Sequence, residues 1–197
     1  MTYPGIDYPK LILASASPRR EQLLKQIGLE FEVMPSDFDE SRVCMKNPDD
    51  SAQRAALEKA RFVAKQLAEG IVIGADTIVV YAEEAMGKPK DQSDAIRILK
   101  RLSGKRHEVI TGVALVKAGN SIEYVWSENT SVWFRQLSDM EIKEYVEIER
   151  PMDKAGAYGI QGRAAAFVKR IEGCYFNVVG LPLASLVEKL KLFVDKF

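Results

Sequence analysis

Asp76 stands inside an otherwise apolar, β-branched run, Ile71 to Tyr81, where an unpaired buried carboxylate costs several kcal/mol. Either a metal ion or a lysine meets it, or Gly74-Ala75-Asp76-Thr77 breaks the strand and Asp76 caps a turn. Thr77 points to the opposite face if the strand is regular. Lys59 shares a helical stripe with Ala56 and Val63, so its stem lies against the core and its ammonium either reaches inward or snorkels to water. Arg19 and Arg20 follow Ser15-Ala16-Ser17-Pro18 at the second and third positions of a helix, where the macrodipole opposes positive charge by roughly 0.3–1 kcal/mol per residue. An anion held by the hydroxyls, the first-turn amides and two guanidiniums offsets that penalty; the alternative is two solvated arginines beside Glu21.

Four further features extend the list. Lys88, in the rigid turn Gly87-Lys88-Pro89, either presents a point charge to a phosphate or is simply solvated. Asp39-Glu40, in an acidic stretch from Ser36 to Asp50, offers a second carboxylate to a hard cation such as Mg²⁺, which takes one or two carboxylates plus water and substrate phosphates. The segment Asp153 to Gly162 carries glycines at 156, 159 and 162 together with Lys154, Tyr158 and Gln161. Gln161 has both a donor and an acceptor for a base edge, although a tight loop serving only the fold is equally consistent. His107, the one histidine, is assigned a structural or supporting role. Together these supply cations for phosphates, carboxylates for a metal and an amide for a base, a combination suited to phosphoanhydride cleavage.

Composition narrows the class. Lys+Arg and Asp+Glu both number 28, so there is no global field for nucleic acid. Cys44 and Cys174 with a single histidine cannot assemble a Cys/His zinc site, so oxygen ligands hold any metal. No stretch approaches the roughly 20 apolar residues of a membrane span, and a cytoplasmic protein of one domain over residues 1–197 is expected.

The elements that must position these residues read as follows. A short strand, Leu11 to Ala14, leads through Ser17 as N-cap and Pro18 into a helix ending at Gly28. A second strand spans Phe31 to Met34, and a helix runs from about Ala52 to Ala68. Asp91 caps a helix with Ala95, Ile98, Leu99 and Leu102 on its core face. His107 to Val116 and Glu123 to Phe134 form paired strands about Gly119-Asn120, and Ser138 with Glu141 makes a capping box. Strands are expected near Ala165 to Ile171 and Tyr175 to Val179, with a last helix from about Pro182. The alternation implies an α/β fold with a mixed sheet.

Ser15-Ala16-Ser17-Pro18-Arg19-Arg20, Gly74-Ala75-Asp76-Thr77, Gly87-Lys88-Pro89, Leu102-Ser103-Gly104 with His107 and Thr111-Gly112-Val113, and Asp153 through Gly162, in that order, resemble the Maf family of nucleotide pyrophosphatases. The match covers about Leu11 to Leu183. The resemblance implies an elongated mixed sheet flanked by helices, Maf/ITPase-like, with a substrate cleft between two lobes. It implies Asp76 and Glu40, with Asp39 as the adjacent alternative to Glu40, as catalytic, metal-side carboxylates, and Lys88 as a catalytic phosphate contact. Ser15, Arg19, Arg20 and Lys59 would bind phosphates, and Arg19, Thr77 and Gln161 would bear on specificity. It further implies the subgroup acting on dTTP and UTP or modified pyrimidine nucleotides, Mg²⁺ with Mn²⁺ or Co²⁺ as substitutes, a homodimer, cleansing of nucleotide pools and a link to cell-division arrest. The rival expectation is a nucleotide-binding regulator of septum formation without turnover.

Overall fold

The computed structural model describes residues 9–39, 43 and 47–195. In chain order the elements are β1 (Leu11–Leu13), α1 (Pro18–Gln26), β2 (Glu32–Val33), α2 (Pro48–Ala64), β3 (Ile71–Tyr81), β4 (Glu84–Met86), α3 (Gln92–Leu102), β5 (Arg106–Lys117), β6 (Glu123–Phe134), α4 (Asp139–Glu149), β7 (Val168–Glu172), α5 (Tyr175–Val179) and α6 (Leu183–Val194). The strands form one seven-stranded sheet ordered β2-β1-β3-β5-β6-β7, with β4 paired to β3. Pairing is parallel among β2, β1 and β3 and antiparallel at β3–β4 and β6–β7, so the sheet is mixed, as the alternating pattern predicts. The chain divides into two compact units, residues 1–76, 111–128 and 180–197 in the first and 77–110 and 129–179 in the second.

In the first unit α2 lies on β1, β3 and β5 through small residues: Ile12, Ala14, Ala56, Ala60, Val63, Val72, Ala114 and Val116 form one buried cluster. Gly74 makes this close approach possible, since a Cβ there would fall 2.2 Å from the Ala56 carbonyl oxygen and 2.9 Å from Ala60 Cβ. The glycine is therefore a packing notch, and β3 runs unbroken through Gly74 to Thr77 rather than stopping there. α6 buries Leu186, Leu190 and Phe193 along one side.

In the second unit α3 and α4 pack together, and their ends follow the expected caps. Asp91 accepts from the Asp94 amide, and Ser138 and Glu141 complete both halves of the capping box. Beneath them Phe134 meets His107 and Tyr158 edge-on with centroids 4.8 Å away in each case, and Phe167 packs on Tyr145 at 4.9 Å.

Several expectations need correction. Tyr175–Val179 is helical, not a strand: Asn177 is fully buried and donates to the Val109 carbonyl and Thr130 Oγ1, a tertiary anchor that overrides β-forming composition in so short a segment. Arg163–Phe167 forms a 3₁₀ turn, leaving the strand to start at Val168. α2 begins at Pro48 and ends at Ala64, because the Asn47 side chain caps the Asp49 amide at 2.9 Å with proline at the first helical position. Phe31 to Met34 contracts to the two residues of β2. The β3–β4 hairpin was not expected; Tyr81 pairs with Glu84 across Ala82 and Glu83, both at positive φ (52° and 64°). Such a turn normally draws Asn-Gly.

Candidate active site

The parallel pairing of β1 with β3 sets Leu13 beside Ile73, so both chains run on in one direction, to Ser15 two residues later and to Asp76 three residues later. Asp76 is 8% exposed and Lys59 7% exposed, and Lys59 Nζ stands 2.5 Å from Asp76 Oδ1. Of the two fates open to Lys59, the inward one holds, and the cation required by a buried carboxylate on β3 is this ammonium. Removing either partner would strand the other charge in the interior, whereas the pair as built is compensated. α2 delivers Lys59 from the face that also carries Ala52, Ala56, Ala60 and Val63, and the Gly74 notch brings that face against β3.

Ser15 is buried, and its hydroxyl accepts from the Ser17 amide at 3.2 Å and from Arg20 Nη1 at 3.1 Å. Arg20 Nε donates at 2.9 Å to the carbonyl of Gly180, which precedes α6. Arg20 is thus fixed at two points rather than solvated, and Glu21 pairs instead with Lys25 at 2.5 Å. Ser17 is the N-cap of α1, yet its side chain makes no capping hydrogen bond. Arg19 is half-buried in the same turn and Asp39 is exposed; Glu40 and Cys44 lie outside the described residues. Among the described residues no group of three His, Cys, Asp or Glu side chains could hold a metal ion. No helix among them is long and apolar enough to cross a membrane. An open groove of about 890 Å³ in this unit, lined by Arg54, Glu58, Arg61, Lys117 and Glu123 among others, contains none of the expected site residues. The Arg61 guanidinium there is committed, since its Nε and Nη2 hold Glu123 at 2.8 and 2.6 Å and draw that carboxyl below the usual range.

In the second unit Thr77 is half-buried on β3, Lys88 is exposed and Pro89 buried. The β3–β4 hairpin presents the Gly87-Lys88-Pro89 turn, and the Gly156 amide donates to the Gly87 carbonyl at 3.2 Å. Gly156 and Ala157 both take positive φ (68° and 60°), the second at a cost of roughly 1–2 kcal/mol for a residue with a Cβ. A Cβ at Gly156 would lie 2.8 Å from Val79 Cγ2, so the loop is wedged against β3. Tyr158 follows, buried, with its hydroxyl 2.8 Å from His107 Nε2. Burial draws the His107 pKa down from 6.5 to about 4 and raises that of the Tyr158 hydroxyl, so both are neutral near pH 7. Lys154 pairs with Asp153 at 2.6 Å, and Gln161 is exposed.

Family comparison decides what kind of chain carries these groups. The model for the family described as Maf-like protein matches residues 10–193. The chain belongs to the Maf family. Among curated Maf relatives, the protein named dTTP/UTP pyrophosphatase from Alkaliphilus oremlandii is 52% identical over 94% of this chain and 97% of its own. The proteins of the same name from Acetivibrio thermocellus and Carboxydothermus hydrogenoformans are 51% and 49% identical, over 93% and 92% of this chain and 95% and 97% of theirs. Two contacts of the candidate residues were missed from sequence: in the first unit the Gly180 carbonyl, as the second anchor of Arg20, and in the second the pairing of His107 with Tyr158. A lone buried histidine is a signal for the second, since it needs a polar partner; a backbone carbonyl 160 residues away along the chain leaves none.

Proposed function

We propose that this protein hydrolyses dTTP and UTP, or modified pyrimidine nucleotides, to the monophosphate and pyrophosphate. The observation that carries the proposal is the buried Lys59–Asp76 pair on adjoining elements, with the Ser15–Arg20 cluster at the end of the neighbouring strand. The names of relatives about half identical over nearly the full chain support the same reaction and substrates. Asp76 Oδ1 is engaged by Lys59, and a carboxylate of this kind suits Mg²⁺, Mn²⁺ or Co²⁺, ions held by one or two carboxylates together with substrate oxygens. Asp76 and Glu40 would hold the ion, which when bound neutralises phosphate charge and polarises the scissile anhydride. Lys59 orients the Asp76 carboxylate, which accepts or directs the proton of the attacking water. Ser15, Arg19, Arg20, Lys59 and Lys88 would contact the phosphates, and Arg19, Thr77 and Gln161 would bear on which base is accepted. The enzyme would work in the cytoplasm as a homodimer on free nucleotides, cleansing the pool, rather than on nucleic acid or at a membrane.

The test incubates purified protein and Mg²⁺ with a panel of nucleoside triphosphates, resolving pyrophosphate from orthophosphate, beside Asp76→Asn. Pyrophosphate from dTTP and UTP is expected, with kcat about 100- to 1000-fold lower in the variant. Orthophosphate as the first product, or no turnover by the unmodified protein, would overturn the proposal.

A further inference from the structure

The reaction above gives no task to the one histidine. His107 is 2% exposed, uses Nε2 on a single tyrosine hydroxyl, and leaves Nδ1 without a hydrogen-bond partner among the described residues. Phenylalanines at both 107 and 158 would fill the same space against Phe134 without burying an unmet polar atom, so core packing alone gives no reason for an imidazole and a hydroxyl here. What the imidazole holds is the one side-chain hydroxyl in the Gly156–Gly162 loop.

That loop is pinned at successive points. The Gly156 amide is tied to Gly87, and the strained Ala157 turns the chain. Tyr158, in extended backbone, is tied to His107. The Gly162 amide donates to the Gly159 carbonyl at 3.1 Å, closing a turn whose two central residues part company: Ile160 is buried and Gln161 exposed. The direction of Gln161 is therefore set by a turn that begins one residue after Tyr158. We infer that His107 is a positioning residue for base recognition: by holding Tyr158 it fixes the Gly159–Gly162 turn that presents Gln161, and Gly156 links that turn to the backbone carrying Lys88.

This inference rests on the proposed base-reading role of Gln161, so its experiment has one arm that does not depend on activity. Amide hydrogen exchange is followed in Tyr158→Phe, which deletes only the hydroxyl, and in His107→Phe. Exchange at residues 159–162 is expected to quicken about tenfold in each, with α3 and α4 unchanged. In the second arm, kcat/KM is measured for dTTP against dCTP. The ratio is expected to fall about tenfold in either variant, mostly through KM, to fall no further in the double variant, and to recover in part in His107→Gln, whose amide can meet the hydroxyl. Unchanged exchange in Tyr158→Phe would overturn the anchor, and so would additive effects in the double variant. Faster exchange with an unaltered dTTP/dCTP ratio would overturn the link to recognition. A wild-type protein that turned over no triphosphate would sink the functional reading, while the exchange data would still decide whether His107 fixes the turn.

Discussion

Asp76 in the first unit is held by an opposite charge 2.5 Å away, whereas Tyr158 in the second is held by a neutral imidazole 2.8 Å away. Both contacts are buried, and both fix a residue next to chemistry-bearing groups, but they fail in different ways. A buried ion pair is compensated only while both members are present, and loss of one leaves a bare charge in the interior. A neutral hydrogen bond inside an aromatic cluster leaves, on loss of one partner, a single polar atom and otherwise intact packing. The first arrangement suits a group whose charge must stay at one point on a rigid strand. The second suits a loop carrying a positive-φ alanine and an exposed glutamine, which must be set in direction more than in charge.

The largest effect should come from breaking the charged member of this contrast. Lys59→Met is expected to cost about 3–5 kcal/mol in urea unfolding, while Lys59→Met combined with Asp76→Leu should return to within about 1 kcal/mol of the unmodified protein. A double variant as unstable as the single one would show that the pair is not a closed electrostatic unit.

The neutral member is exposed by acid. His107 titrates at about 4 in the fold against 6.5 unperturbed, so between those values the unfolded chain binds more protons than the folded one. Stability contributed by the neutral imidazole is complete above pH 6.5, rises with pH across the window, and is lost as pH falls toward 4. The loss amounts to about 3 kcal/mol by pH 4. His107→Phe should lack this component, so in urea unfolding at pH 7, 6, 5 and 4 the unmodified protein should lose about 3 kcal/mol more than the variant as pH falls. Parallel curves would show that His107 is not held neutral.

The same contrast explains what could be read from sequence. Asp76 and Lys59 announce themselves because each interrupts an apolar pattern whose period is known, two for the strand and 3.6 for the helix. Their partnership with each other is what the structure adds, since the sequence leaves Asp76 open to a metal, a lysine or a turn and Lys59 open to water. Helix starts at Pro18, Gln92 and Asp139 were legible from Ser17, Asp91 and Ser138, since caps are local. What escaped is non-local or contrary to local preference. Tyr175–Val179 is composed like a strand and becomes a helix through the buried Asn177. The β3–β4 hairpin turns on Ala82 and Glu83, neither a residue that favours positive φ. Asn47-Pro48 is a local start signal for α2 that the surrounding acidic residues obscured.

The smallest expected difference lies between two helix starts that look alike in sequence. Ser138 opens α4 in the second unit with its hydroxyl accepting from the Glu141 amide, while Arg135 and the cap together hold the Glu141 carboxyl down to about 2. Ser17 opens α1 in the first unit and makes no such bond, so its first-turn donors are not met by their own cap. Ser138→Ala should therefore cost about 1 kcal/mol in thermal or urea unfolding, and Ser17→Ala no more than a few tenths. With dTTP or inorganic pyrophosphate present, the order of ligand effects should invert. Ligand should raise the stability of the unmodified protein more than that of Ser17→Ala, because an anion at this terminus would draw on donors and hydroxyl that the fold leaves uncapped. Equal ligand stabilisation of the Ser17→Ala and unmodified proteins would remove Ser17 from the anion site while leaving the Ser15–Arg20 cluster in place.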